Sequence, residues 1–276
     1  MNTITYSSEF KEAINKGLFL GTGNPNGKIV FIGKEAAIDE KLYPEQHKRE
    51  IGNNICDWDN NYANEMQFSD IDNWFIRNSI PKYNPLYPYK GQKNTVESRN
   101  KEGEIVRGTG GTSKTWYNYQ KIIDSVYFKD APNNAINYHE FAFCTELNQV
   151  TGPYSKTIPK KIRKESIEKR KELFQEPFFK EFPITIVAVG HYVKDFNINL
   201  QDIFQMKFCE ELSKEFSKEL SGGLNKEYIN VHFDDLEKPT KLLIHTNQLS
   251  MVSNELINRL GKICNDFLKN TYEIRI

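Results

Sequence analysis

Leu242-Leu243-Ile244, followed by His245-Thr246-Asn247-Gln248-Leu249-Ser250, is the stretch that decides the fold. Its apolar start predicts a short buried strand over residues 241–244, and residues 253–268 have the periodicity of an amphipathic helix. A strand that passes directly into a helix is the repeating unit of an open α/β sheet. Because ligands bind in the crevice at the carboxyl ends of such strands, the residues from His245 onward are candidate functional residues.

Other apolar segments predict further strands, and amphipathic segments between them predict helices. Strands are expected at about 28–33, 138–144 and 184–190, with an extra strand at 228–233. Helices are expected near 7–18, 115–128, 160–172 and 200–220. Strands that alternate with helices predict a three-layer α/β/α fold with a central, mostly parallel sheet of four to five strands.

The chain length and the lack of internal repeats predict one domain over residues 1–276. A long irregular insertion is expected at about 39–115, where prolines, many tyrosines and the glycine-rich run 108–111 occur. Irregular segments of this length in a domain are usually functional or contain short elements of their own.

Charge and cysteine content narrow the class of protein. Lys+Arg and Asp+Glu are both 37, so the net charge is zero and contacts to nucleic acid must come from local patches. The four cysteines form no Cys-x-x-Cys pair, which argues against a structural zinc site and is typical of a reducing compartment. Neither a signal-peptide pattern nor a membrane-length apolar run occurs, so we expect a soluble, cytoplasmic protein with no membrane partner.

Four predicted strand ends carry distinctive residues. They are Gly33-Lys34-Glu35-Ala36-Ala37, Thr145-Glu146-Leu147-Asn148-Gln149, Gly190-His191-Tyr192, and residues 245–250. Taken together and in this order, they resemble the motifs of the uracil-DNA glycosylase superfamily. The last motif of that family is His-Pro-Ser-Pro-Leu-Ser, and its histidine, leucine and serine are matched here in spacing.

The resemblance implies a DNA glycosylase that flips a damaged or modified base and hydrolyses its N-glycosidic bond. It implies no metal and no cofactor, a duplex or single-stranded DNA partner with a flipped base, and action as a monomer. His245 would stabilise the departing base and Glu35 would position water and offset the cationic sugar, so both should face one pocket. Leu249 would insert as an apolar wedge into the gap that the flipped base leaves.

The resemblance leaves two recognition roles open. Either Glu146 or Asn148 would read the edge of the base, and either Trp116 or Tyr117 would stack on it. The expected contacts to the DNA backbone are Ser113, Lys114, Thr246, Asn247 and Ser250.

The chain also departs from the family pattern. Ala36, Thr246 and Gln248 stand where the family has prolines, so the grip on the DNA backbone would be weaker or differently built. Ala37 stands where the strict uracil enzymes have a tyrosine that blocks the thymine methyl group. We therefore expect a base preference that is not restricted to uracil, and Glu146 at the base edge would favour an amino-bearing base.

Structural interpretations compete with these functional ones. His245 could be a hydrogen-bonded histidine near a helix start, Leu249 could pack on the last helix, and Glu35 could be an ordinary acid at a helix N-terminus. At the level of the whole protein, the alternatives are a catalytically inactive module of the same fold that binds DNA, a nucleobase or a protein partner, and a hydrolase of small nucleosides.

Overall fold

The computed structural model describes residues 3–74, 83–91, 113–128, 135–218, 220 and 226–269. The strands are β1 (Thr22–Gly23), β2 (Ile29–Gly33), β3 (Ala142–Glu146), β4 (Ile184–Val187), β5 (Lys207–Cys209), β6 (Ile229–Phe233) and β7 (Leu242–Thr246). The helices are α1 (Ser8–Asn15), α2 (Pro44–His47), α3 (Asn54–Ala63), α4 (Lys114–Tyr127), α5 (Lys160–Phe174), α6 (Pro177–Lys180), α7 (Tyr192–Asp195), α8 (Leu200–Phe204), α9 (Glu210–Lys218) and α10 (Asn254–Lys269).

The strands form one mixed sheet in the order β1-β3-β2-β4-β7-β6-β5. The four central strands, β3, β2, β4 and β7, are parallel, whereas β1, β6 and β5 pair antiparallel with their neighbours. The α/β class is therefore confirmed, and the sheet has seven strands rather than four to five. The additional strands are β1 and β5, which are only two and three residues long.

Apolar residues of each central strand point alternately to the two faces of the sheet, and both faces are covered by helices. On the first face, Val30 and Ile32 of β2 pack in a core with residues of α1, α3, α5 and α6. On the second face, Ile29 and Phe31 pack in a core with residues of α4 and α10. Each face therefore has its own core, and the alternation decides on which side a functional side chain lies.

The order in which the chain adds strands to the sheet reverses at β2, whose two neighbours are β3 and β4. From β2 the chain runs to β3 on one side, and from β3 it crosses to β4 on the other side of β2. The crevice outside the carboxyl ends of such strands is the usual ligand site of a doubly wound sheet. Lys34 and Glu35, which follow β2, lie at this position.

Several predicted boundaries differ from those observed. The segment 39–74 is not irregular, since it contains α2, a π-helical turn (Lys48–Gly52) and α3. The predicted helix 200–220 is interrupted, because Gln205 adopts a left-handed conformation (φ 56°) that ends α8 before β5. The glycine-rich run 108–111 lies outside the described residues.

Candidate active site

A cavity of about 860 Å³ lies at the carboxyl ends of β2 and β3, beside the N-terminus of α4. We call it the acidic cavity, because its lining includes Glu35, Glu50 and Glu146. Of the residues to which the resemblance assigns a role in catalysis, base recognition or DNA contact, those that line it are Glu35, Ala37, Ser113, Lys114, Trp116, Glu146, Leu249 and Ser250.

Glu35 is held by hydrogen bonds to both of its carboxylate oxygens. The hydroxyl of Tyr192 donates to Oε2 over 2.7 Å, and the hydroxyl of Ser155 donates to Oε1. The side-chain amide of Asn148 also donates to Oε2, over 3.4 Å. These donors come from the two segments that follow β3 and β4, which together fix the Glu35 carboxylate in the cavity wall.

Asn148 therefore contacts Glu35 rather than the cavity itself. It is fully buried, and its Oδ1 accepts a hydrogen bond from the backbone N–H of Val150 over 3.0 Å. Asn148 does not line the acidic cavity, whereas Glu146 does. Of the two residues proposed to read the base edge, Glu146 is the one in position.

Glu146 ends β3, directly opposite Gly33 in the parallel register with β2. Because Gly33 has no side chain, the Glu146 carboxyl group lies against it: a Cβ at Gly33 would be 2.2 Å from Oε2 of Glu146. Oε2 is buried and has no hydrogen-bond partner among the described residues. Glu146 thus has an unused polar atom, which is uncommon inside a protein.

The surroundings of Glu146 raise its pKa to about 8. Burial is the main cause, the nearby charge of Glu35 adds to it, and the Arg170 guanidinium opposes both. Arg170 is fully buried and donates to the carbonyl of Glu146 over 3.0 Å and to the hydroxyl of Thr145 over 2.7 Å. At neutral pH Glu146 is therefore mainly a protonated carboxylic acid, able to donate a hydrogen bond or a proton.

Part of the lining of the acidic cavity is aromatic. Trp74, Tyr83, Tyr89 and Trp116 all line it, and their rings are in contact: the centroid distances to Tyr89 are 4.7 Å from Trp74, 5.7 Å from Tyr83 and 5.9 Å from Trp116. The Arg49 guanidinium lies 5.5 Å from the Trp74 ring centroid. A wall of this kind suits a planar, heteroaromatic ligand.

Of the two aromatic residues proposed for stacking, only Trp116 lines the cavity. The Tyr117 ring lies elsewhere and is covered by the amines of Lys114 and Lys121, at 5.0 and 4.5 Å from its centroid. Ser113 caps α4, since its hydroxyl accepts the Trp116 N–H over 3.2 Å. Tyr117 is therefore not in position to stack on a ligand in the acidic cavity.

His245 lines a different cavity, of about 430 Å³, which also contains His191 and His232 and which we call the histidine cavity. The Nε2 atom of His245 is 3.1 Å from the carbonyl oxygen of Gly190 and 3.0 Å from the hydroxyl of Tyr228. Burial lowers the pKa of His245.

The separation of His245 from Glu35 corrects the expectation that both face one pocket. Strand β7 continues through Thr246, so His245 points to the same face as Leu243, away from the face on which Ile244 packs. The amide of Asn230 lies 3.3 Å from its Nδ1, so both ring nitrogens have partners. These contacts agree with the interpretation of His245 as a hydrogen-bonded structural histidine.

Thr246 and Asn247 join β7 to the start of β6. The fully buried Thr246 donates its hydroxyl to the Tyr228 carbonyl over 2.6 Å, and Asn247 Oδ1 accepts the Tyr228 N–H over 3.0 Å. A buried hydroxyl cannot reach a phosphate, so the expected backbone contact by Thr246 is wrong. Ser250 is half-buried and lines the acidic cavity.

Leu249 is fully buried and belongs to the core of the second sheet face. Its carbonyl accepts a hydrogen bond from Asn118 of α4 over 2.7 Å. The expectation that Leu249 inserts into DNA is therefore wrong for this conformation, because the side chain packs inward. Two residues later, Met251 is 85% exposed.

We expect Leu249→Ala to reduce the free energy of unfolding by roughly 2–5 kcal/mol, as is usual when a leucine in a packed core is truncated. Met251→Ala is the matched control and should change the free energy by less than about 0.5 kcal/mol, because it is exposed. Urea unfolding of both variants measures the difference. Equal, small effects would show that Leu249 is not a core residue.

Several residues of the acidic cavity were not singled out from the sequence. Arg49, Trp74, Tyr83 and Tyr89 come from the segment expected to be an irregular insertion, whose tyrosine content was the available signal. Tyr192 was visible as the aromatic residue after the third strand motif. Its contact with Glu35 depends on the approach of β4 to β2 and has no local signature.

No protein-family model, curated protein or solved structure matches this chain. The resemblance to the uracil-DNA glycosylase superfamily therefore rests on the sequence motifs alone. Among the helices in the described ranges, none has the length and apolar content needed to cross a membrane. Within the same ranges, no group of three or more His, Cys, Asp or Glu residues could hold a metal ion.

Proposed function

We propose that this protein is a DNA glycosylase that hydrolyses the N-glycosidic bond of a flipped base in the acidic cavity, with a base preference not restricted to uracil. The observation that carries the proposal is the pairing of Glu35 with Glu146 in one cavity at the carboxyl ends of adjacent parallel strands. A pair of carboxyl groups, one acting as general acid and the other activating water or stabilising the sugar cation, is the usual machinery for hydrolysing a glycoside.

In this proposal the two carboxyl groups have different roles in the hydrolysis. Glu35, oriented by Tyr192 and Ser155, positions the attacking water and offsets the positive charge that develops on the sugar. Glu146 is protonated at neutral pH and donates to the departing base as its charge becomes negative. Glu146 thus takes the role that the sequence motif assigned to His245.

The aromatic wall supports binding of the base. Trp116, Tyr89 and Trp74 provide a surface on which a flipped base stacks. Ala37 lines the cavity beside Glu35 with a side chain of one methyl group, so it leaves room for substituents on the base. This room supports a base preference wider than uracil.

Met251 is the exposed apolar side chain in the loop after β7, next to the cavity-lining Ser250. In our proposal it occupies the gap left by the flipped base, in place of the buried Leu249. Ser113 and Lys114 at the start of α4 are exposed and line the cavity, so they are available to contact the phosphates on either side.

A panel of oligonucleotides tests the proposal, each with one uracil, mismatched thymine, hypoxanthine or modified pyrimidine. We expect abasic sites to form from more than one of these bases, and Glu35→Gln to prevent their formation. Release of uracil alone would contradict the proposed preference. No release from any substrate would contradict the glycosylase itself.

A second candidate is a module of this fold that binds DNA or a nucleobase without cleaving it. The position of His245 in a separate cavity favours it, because one element of the family motif is then missing from the site. Titration of duplex DNA at several salt concentrations distinguishes the candidates when combined with the release assay. A glycosylase shows salt-dependent binding and base release, whereas the binding module shows the salt dependence alone.

A further inference from the structure

The wall of the acidic cavity contains a lysine that the proposed hydrolysis does not use. Lys34 follows directly after β2 and lies between Gly33 and Glu35 in the sequence. It is half-buried, and both it and Glu35 line the cavity. A cavity that accepts a sugar at Glu35 therefore also presents a primary amine to it.

The Lys34 amine is held close to the catalytic carboxylate without being paired to it. Its Nζ lies 4.9 Å from the ring centroid of Tyr192, the residue whose hydroxyl donates to Glu35. Lys34 forms no salt bridge with any described carboxylate. Tyr192 thus contacts both groups.

Partial burial also makes the amine more reactive. Burial is the largest influence and lowers the pKa of Lys34, and the charge of Arg163 acts in the same direction. The charges of Glu35 and Asp195 oppose this shift. A lysine with a lowered pKa is unprotonated, and therefore nucleophilic, for a larger fraction of the time.

We propose that Lys34 gives the protein a second activity, the cleavage of DNA at abasic sites through a covalent imine. This inference rests on the proposed function, because it requires that the acidic cavity accept the sugar from which the base has been released. The substrate is the ring-opened, aldehyde form of the abasic deoxyribose.

The reaction has two stages. The Lys34 amine attacks C1′ of the aldehyde, and loss of water forms a C=N bond between Nζ and C1′. The Glu35 carboxylate then removes a proton from C2′, the C3′–O bond breaks, and the 3′ phosphate leaves with the bonding electrons. Water hydrolyses the unsaturated imine, which regenerates the Lys34 amine and leaves an unsaturated aldehyde on the 3′ end of the upstream strand. Neither stage of the reaction needs an oxidant, a reductant or a metal.

Borohydride trapping of a ready-made abasic site tests the inference. An oligonucleotide with one abasic site is mixed with the full-length protein and sodium borohydride, which reduces the imine to a stable amine. We expect a covalent protein–DNA adduct, located on Lys34 by proteolysis and mass spectrometry. Without borohydride, we expect strand cleavage on the 3′ side of the abasic site.

Two arginine variants provide the comparison. Lys34→Arg keeps the positive charge but has no primary amine for imine formation, and should abolish the adduct and the strand cleavage. Lys41→Arg is the control, because Lys41 is exposed on the same segment and does not line the cavity. Unfolding curves of both variants establish that they are folded.

The absence of an adduct, or an adduct that forms equally with Lys34→Arg, would overturn the inference. Because the abasic site is supplied ready-made, the result does not depend on base release. Trapping without base release would contradict the proposed glycosylase and leave the lyase standing. Base release without trapping would contradict the lyase and leave the proposed glycosylase standing.

Discussion

Glu35→Gln is expected to reduce the rate of base release by roughly 10²–10⁴-fold, the range usual for loss of a positioned general base. The substitution preserves the size of the side chain but removes its charge and one acceptor. The amide can still accept one of the hydrogen bonds from Tyr192 and Ser155, so the fold should be retained. Single-turnover kinetics on the preferred oligonucleotide measures the loss in the chemical step.

His245→Gln is the comparison for Glu35→Gln, because it tests whether the histidine of the family motif also contributes to base release. The family motif predicts a loss comparable with that of Glu35→Gln, because the histidine would stabilise the departing base. The structure places His245 in the histidine cavity, with Gly190 and Asn230 as partners, so we expect mainly reduced stability and a rate close to that of the unchanged protein. A loss as large as that of Glu35→Gln would show that His245 reaches the substrate and would contradict our assignment of its role to Glu146.

The central sheet was predictable because its strands are continuous apolar runs. Residues 29–33, 184–187 and 242–244 are short, largely apolar runs that are buried on both faces of the sheet, as is usual for central parallel strands. The end of β7 was harder to predict. His245 and Thr246 are polar, but their hydrogen bonds to neighbouring segments extend the strand by two residues and so determine the face on which each lies.

The acidic cavity was only partly predictable, for a related reason. Glu35 and Glu146 each follow or end an apolar run, and this signal is present in the sequence. The position of the Glu146 carboxyl group against Gly33 depends on the parallel register of β2 and β3, which come from segments more than a hundred residues apart. Likewise, the inward packing of Leu249 depends on α4, which no local pattern near residue 249 indicates.

Glu146→Gln is expected to remove the alkaline limb of the pH–rate profile. In the unchanged protein, activity should fall as the pH rises through about 8, because Glu146 then loses the proton that, in the proposed mechanism, it donates to the departing base. The glutamine variant has no such proton, so its rate should be lower by roughly 10²–10⁴-fold at neutral pH, the range typical of a general acid. It should also show no decline near pH 8.

The raised pKa of Glu146 also predicts that the free energy of unfolding depends on pH, which can be measured without a substrate. The pKa of Glu146 is raised from 4.5 to about 8 on folding, so between these values the folded state binds more protons than the unfolded state. The stabilisation from Glu146 is complete below about pH 4.5 and is lost as the pH rises through about 8. Urea unfolding across this window should show that contribution, and Glu146→Gln should lack it.

Gly33→Ala tests whether the position of the Glu146 carboxyl group matters as well as its presence. The added Cβ would lie 2.2 Å from Oε2, and the carboxyl group, at the end of a flexible side chain, would have to move away. Gly33 does not require a left-handed backbone conformation, so the variant should fold. We expect base release to fall by about ten-fold or more, equivalent to at least ~1.4 kcal/mol in the activation free energy.

The pH dependence of Gly33→Ala separates this explanation from general damage to the site. A carboxyl group displaced from its buried position loses its main cause of a raised pKa, so the alkaline limb should move to lower pH. Gly52→Ala is the matched control, because its added Cβ would meet only the Lys48 side chain, at 3.9 Å. If Gly33→Ala kept both the rate and the alkaline limb of the unchanged protein, the proton that limits the reaction would not belong to Glu146.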